Sequence, residues 1–223
     1  MSSIFDIKVS GYANYYSTEP KPVNLFKWLT SIKYAHKVQA IRSSTDKKKR
    51  NKLKAGLPAV IPSGTFEGGK EMEHFVRHSG FITIDIDGED HKNLHNFGDL
   101  KCLLSNIPEI AYCGLSVSGN GYWGLVKIAY PERHKEHYFA LENAFSRYGI
   151  NLDAQCKNIN RLRGYSFDPD TYFNEYAPIF YHLASEPVST NKELQHQPKQ
   201  ILQNKPQLLD NRDKIETLIE KLE

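Results

Sequence analysis

Two aspartates close the run Phe81-Ile82-Thr83-Ile84-Asp85-Ile86-Asp87-Gly88. The run is apolar, β-branched and alternating, and it ends on a glycine, which predicts a β-strand. Side chains at i and i+2 leave a strand on the same face. Asp85 and Asp87 therefore point one way, and Ile82, Ile84 and Ile86 point to the core. Adjacent like charges are costly unless something cationic lies between them. Carboxylates are hard oxygen donors, so the expected cation is Mg²⁺ or Mn²⁺. The plain alternative is a solvated strand end that carries two acids.

Three further elements could act with this pair. The turn Ser118-Gly119-Asn120-Gly121 lets the backbone approach a ligand, and its N–H groups can form an anion nest. An ordinary hairpin turn would read the same way. Asp153 lies about seventy residues beyond the pair and offers a third carboxylate, as a two-metal phosphoryl-transfer site needs. In Asn160-Arg161-Leu162-Arg163-Gly164, the two arginines share a face if the segment is extended, and guanidinium groups bind phosphate in a bidentate way. Asp168-Pro169-Asp170 reads as a turn. The pairs His74/His78 and His91/His95 have i,i+4 spacing, but neither matches the H-E-x-x-H zinc motif.

The net charge is only +3, but basic residues cluster. Arg42, Lys47, Lys48, Lys49, Arg50, Lys52 and Lys54 stand against a single acid, Asp46. Such a run fits phosphate contact, and equally a solvated helix face or loop.

The elements that must position these groups follow from periodicity. A weak first strand is expected at 4–9. A helix is expected at 24–35, with Leu25, Trp28, Leu29 and Ile32 on one stripe. A short helix could span 71–78. After the strand that ends in Asp87, a helix is expected at 97–105, a strand at 110–117 and a second strand at 122–128 across the glycine turn. Pro131 opens a helix to about residue 148, with Tyr138, Leu141 and Phe145 on one side, and a last strand is expected at 162–167. The order β-α-β-β-α-β is that of the split βαβ unit. It predicts an α+β fold with a ferredoxin-like core, a mainly antiparallel sheet and helices on one face. The expected organisation is one domain at 1–183, divided into an N-terminal extension (1–79) and a core (80–183). A Gln-, Asn- and Pro-rich linker is expected at 184–209, and an amphipathic helix at 210–223.

Hydrophobic residues are 39% and charged residues 25%, ordinary for a globular protein. No apolar run is long enough to span a membrane, and the N-terminus does not read as a signal peptide. Cys102, Cys113 and Cys156 have no metal-ligand spacing, so reduced thiols in a cytoplasmic protein are expected.

Taken together, the strand ending in Asp85-Ile86-Asp87, the Ser118-Gly119-Asn120-Gly121 turn, Asp153, Asn160-Arg161-Leu162-Arg163 and Ser166-Phe167-Asp168-Pro169 resemble the archaeo-eukaryotic primase superfamily. The resemblance is to its VirE-type N-terminal domain branch, found in bacterial mobile elements and phages, and spans about residues 40–182. It implies a primase-polymerase in which Asp85, Asp87 and Asp153 hold two Mg²⁺ or Mn²⁺ ions. Ser118 would meet the triphosphate of an NTP or dNTP, and Arg161 or Arg163 the phosphates or the DNA template. A primer or initiating nucleotide would attack the α-phosphorus. A helical or helicase region would follow the chain. In the family pattern a histidine stands where this chain has Trp123, so Lys127, the arginines or the basic run would carry triphosphate binding instead. Two alternatives stay open: a non-catalytic nucleotide- or nucleic-acid-binding domain, and a metal-dependent nuclease.

Overall fold

The computed structural model describes residues 3–92 and 97–186. In chain order, β1 (Lys8–Tyr12) and β2 (Lys21–Asn24) form a hairpin, followed by helices α1 (Leu25–Leu29), α2 (Ala35–Arg42) and α3 (Lys47–Ala55). Next come β3 (Ala59–Ile61), β4 (Gly64–Phe66) and β5 (Phe75–His78). The centre consists of β6 (Phe81–Asp87), α4 (Leu100–Leu104), β7 (Ile110–Leu115), β8 (Gly121–Lys127) and α5 (His134–Ser146). Two short strands follow, β9 (Arg163–Gly164) and β10 (Tyr172–Phe173).

The fold is α+β with antiparallel sheets, as the sequence predicts. One sheet has the order β10-β7-β8-β6, a second β2-β1-β3-β9, and β4 pairs with β5. The period of two in β6 builds the layers. Ile82, Ile84 and Ile86 are fully buried in a core with Leu100 and Leu104 of α4 and with Tyr138, Leu141 and Phe145 of α5. Burying each such side chain is worth about 1.5–3 kcal/mol. The opposite face of the sheet meets the N-terminal layer: Phe81 stacks on Phe5 at 5.4 Å and joins a core with Val9, Leu25 and Val60. Both helices of the central unit therefore cover one face, and the second sheet covers the other.

Several expected elements differ. The first strand lies at Lys8–Tyr12 rather than 4–9. The helix expected at 24–35 is capped by Asn24 but ends at Leu29, and Ile32 is 74% exposed rather than part of an apolar stripe. The helix expected at 71–78 is a 3-10 turn, Met72–His74, followed by β5, because Phe75, Arg77 and His78 pair with β4. The last strand, expected at 162–167, is only Arg163–Gly164. It leaves the core sheet and pairs with β3, while β10 becomes the fourth strand beside β7. β9 therefore joins the C-terminal part of the chain to the N-terminal sheet. His95, most of the linker and the amphipathic helix at 210–223 lie outside the described residues. Among the described residues, no helix is long and apolar enough to cross a membrane.

Candidate active site

The polar end of β6 opens into a cleft of about 580 Å³, a usual size for a small-molecule site. Asp85, Asp87, Lys54, Ser118, Arg161 and Arg163 all line it. Register explains the convergence. β6 and β8 pair with Asp87 opposite Gly121 and Asp85 opposite Trp123, so the turn before β8 lies beside the acids. That turn is pressed against the strand: the Gly88 amide donates to Asn120 O at 2.8 Å. A Cβ on Gly121 would stand 2.5 Å from Ile86 O, closer than any side chain tolerates. Gly119 takes φ +77°, which glycine adopts freely.

Arg42, read from sequence as a phosphate contact, holds this turn from behind. Its Nη2 donates to Ser116 O at 2.9 Å and to Phe167 O at 2.8 Å. The other basic residues behave differently. Asp46 caps α3 by accepting from the Lys48 and Lys49 amides, and α3 buries none of its residues. Lys47, Lys48, Lys49 and Lys52 face solvent, and Arg50 is half-buried. Lys54 turns into the cleft, where burial and then Arg50 lower its pKa and Asp87 opposes them.

The third acid is brought to the first by backbone. The Asp153 amide donates to Asp85 O at 2.8 Å. The Asp153 carboxylate accepts from the Gln155 amide at 2.9 Å and from Arg161 Nη2 at 2.6 Å. Arg163 Nη1 donates to Asp85 Oδ2, and Arg161 Nη2 lies 3.9 Å from the same oxygen. Asp87 accepts from the Glu89 amide at 3.0 Å. Both arginines keep a buried Nε–H that finds no partner among the described residues. The arginines are thus directed by the acids yet incompletely satisfied.

Two histidine systems fix the Asp153 loop. His91 Nε2 accepts from the Asn151 amide at 2.8 Å, leaving Nδ1 to donate to Asp87 O at 2.6 Å. It therefore ties the loop to the end of β6. Behind the loop, the Gly80 amide donates to His78 Nδ1 at 2.9 Å, so His78 Nε2 carries the proton and donates to His134 Nδ1 at 2.9 Å. His134 Nε2 then donates to Cys156 O at 3.1 Å. Burial, and then for His78 the neighbouring His134, hold both rings neutral, with pKa values of about 3 for His78 and about 4 for His134. His74 lies in the 3-10 turn and His78 in β5, so the two share no helix face.

Other residues read as site candidates lie elsewhere or act indirectly. Trp123 is buried. Its Nε1 donates to Ser166 Oγ at 3.0 Å, and the Arg163 guanidinium lies over its ring at 5.0 Å. Trp123 thus supports the arginine and does not itself line the cleft. Lys127 pairs with Phe81 at the far end of the hairpin, roughly 13 Å from Asp85 and roughly 20 Å from Asp87 by strand rise. Asp168 forms a turn, as expected, and also an ion pair with Lys101 at 2.9 Å. Sequence reasoning missed Ser116 and the exposed Tyr15 and Tyr16 at the cleft, and weighed His91 only as half of a zinc pair. The tyrosines are tied to the cleft by the Tyr15 amide on Ala55 O, distant in sequence, so no local pattern marked them.

Asp85, Asp87 and Asp153 offer the hard oxygen donors that suit a divalent cation. Among the described residues, however, no three His, Cys, Asp or Glu side chains converge on one point. The guanidinium groups hold the facing oxygens of Asp85 and Asp153, and an ion there would replace those contacts.

The family model described as BT4734-like, N-terminal domain matches residues 52–173, more than half of the chain. No curated protein and no solved structure matches. The matched segment runs from α3 to β10 and contains all three acids and both arginines. The chain belongs to the BT4734-like N-terminal domain family.

Proposed function

We propose that this domain is a primase-polymerase-type nucleotidyltransferase acting on a DNA template. The observation that carries the reading is one cleft that joins Asp85 and Asp87, on one face of β6, to Arg161, Arg163 and Lys54. Acids beside phosphate-binding cations in a cleft of nucleotide size suit phosphoryl chemistry. Asp85, Asp87 and Asp153 would hold divalent ions, Mg²⁺ or Mn²⁺. Such ions lower the pKa of an attacking hydroxyl and offset charge on phosphorus. The protein's own part is positioning. The Asp153 amide and His91 keep the third acid beside the first two. Arg161 and Arg163 exchange a carboxylate for a triphosphate through the terminal N–H groups that now hold the acids. The turn at 116–121 presents Ser116 and Ser118 to the same space.

A second reading is a domain that binds nucleotide or nucleic acid without catalysis. The guanidinium contacts to Asp85 and Asp153 favour it, since they neutralise two of the three acids. The discriminating assay incubates the protein with Mn²⁺, labelled NTPs or dNTPs and primed single-stranded template. Product growth in the wild type, lost in Asp85→Asn/Asp87→Asn, supports nucleotidyl transfer. Binding without any product supports the second reading. Template shortening indicates a nuclease.

A further inference from the structure

Tyr15 is 56% exposed and Tyr16 is 74% exposed, and both line the mouth of the acid-lined cleft. A tyrosine that contributes to folding hides its ring. These two rings are instead held outward by a defined turn. Asn14 Oδ1 accepts from the Tyr16 amide at 2.9 Å and from the Ser17 amide at 3.0 Å. The Tyr15 amide donates to Ala55 O at 3.0 Å, which ties the loop to the end of α3. Lys70 Nζ donates to Tyr15 O at 2.9 Å and lies 5.5 Å from the centre of its ring. The two rings stand 5.8 Å apart at 89°, so they offer two faces in different directions.

The surroundings are polar and cationic. On one side the cleft continues to Asn51 and Lys54 of α3, the helix that shows its lysines to solvent. On the other side Tyr15, Arg161 and Leu162 also line a second groove, of about 250 Å³, with Lys70, Glu71, Asn158 and Asn160. Tyr15 therefore stands where two grooves meet, with Tyr16 beside it. Exposed aromatic rings interleaved with cations along a groove are the arrangement that binds single-stranded nucleic acid: bases stack on the rings and cations follow the phosphates. Duplex DNA offers no free base faces to such rings. Rings at right angles require a strand that stacks on both to turn at this point, beside the acids.

We propose that Tyr15 and Tyr16 form a base-stacking platform that leads single-stranded nucleic acid into the cleft between α3 and the 153–163 segment. This rests on the template-directed reading above and names the template's path.

The test is fluorescence anisotropy of the full chain with a labelled 20-nucleotide oligothymidylate in EDTA, where no chemistry occurs. Tyr15→Ala/Tyr16→Ala should weaken binding roughly 5- to 100-fold. Tyr15→Phe/Tyr16→Phe keeps both faces and should stay within about twofold. Tyr176→Ala, at an 88% exposed tyrosine outside both grooves, should leave binding unchanged. Thermal melts should match in all variants, because the altered rings are exposed. The proposal is overturned if the alanine pair binds like wild type, if it loses duplex and single strand equally, or if wild type does not bind the strand at micromolar concentration. Primer extension with Asp85→Asn/Asp87→Asn separates the two ideas. Absence of extension in the wild type rejects the nucleotidyl-transfer reading, undiminished extension in that variant rejects its assignment to these acids, and either leaves the tyrosine result standing.

Discussion

Lys101–Asp168 and Arg163–Asp85 are both ion pairs drawn partly out of water, and they are built differently. Lys101 Nζ reaches both oxygens of Asp168 and the carbonyl of Asp170, and the Asp168 carboxylate also accepts from the Leu115 and Asp170 amides. The acid side chain is 2% exposed. That knot lacks nothing, so it locks β7 to the chain beyond β9. Arg163 and Arg161 also take acid partners, but each leaves a buried Nε–H without one among the described residues, and both arginines and Asp85 line an open cleft. A fully satisfied pair is structural, whereas a pair with donors to spare at a cleft can exchange partners.

The histidine chain gives a third solution for titratable groups. Half-buried His78 and buried His134 have no acid partner among the described residues and stay neutral, each donating to the next acceptor. They hold Cys156, and through it the Asp153 turn, from the apolar side.

These contrasts can be broken in order of effect. The largest should come from Asp85→Asn/Asp87→Asn in the extension assay. Losing several kcal/mol of charge stabilisation lowers the rate on the order of 1,000-fold, with little change in thermal stability. Asp168→Ala should do the reverse. It leaves the Lys101 charge without its acid and two amides unpaired, and should cost about 3–5 kcal/mol in urea unfolding. A pH series should follow. The two histidines titrate near their ordinary value when unfolded but only at about 3 and 4 when folded. The unfolded chain therefore binds more protons below about pH 6.5. Their contribution is intact above that pH and is lost as pH falls toward the folded values. Unfolding free energy should drop by at least about 1 kcal/mol between pH 7 and pH 5. His134→Gln should flatten that slope. The smallest effect should be Lys47→Gln/Lys48→Gln/Lys49→Gln. Stability should change by less than about 0.5 kcal/mol, while the salt slope for single-stranded DNA should fall by about 2.

The sequence carried the acid pair because its period of two is unbroken from Phe81 to Asp87 and its apolar half is all isoleucine. The β7–β8 hairpin and α5 were legible for the same reason, having strong local periodicity around a glycine turn or after a proline. Failures arose where distant partners decide. Residues 75–78 have no strong helical pattern, and β4 captures them as a strand. Arg163 lies in an extended segment, as expected, but pairing with β3 moves it out of the core sheet and over Trp123. Arg42 read as free charge until three carbonyls from other segments enclosed it. Asp85 and Asp87 were therefore visible in one strand, whereas the placing of Asp153, the arginine partners, the histidine supports and the tyrosines depends on tertiary pairing.

The account turns on whether the acid–arginine pairs are exchangeable, and Mn²⁺ binding followed by electron paramagnetic resonance tests that directly. With a triphosphate present, wild type should remove about two Mn²⁺ per chain beyond those held by free nucleotide, and Asp85→Asn/Asp87→Asn should remove none. Binding that is absent in wild type, or equal in the variant, would contradict the assignment of Asp85 and Asp87 as the centre of the site.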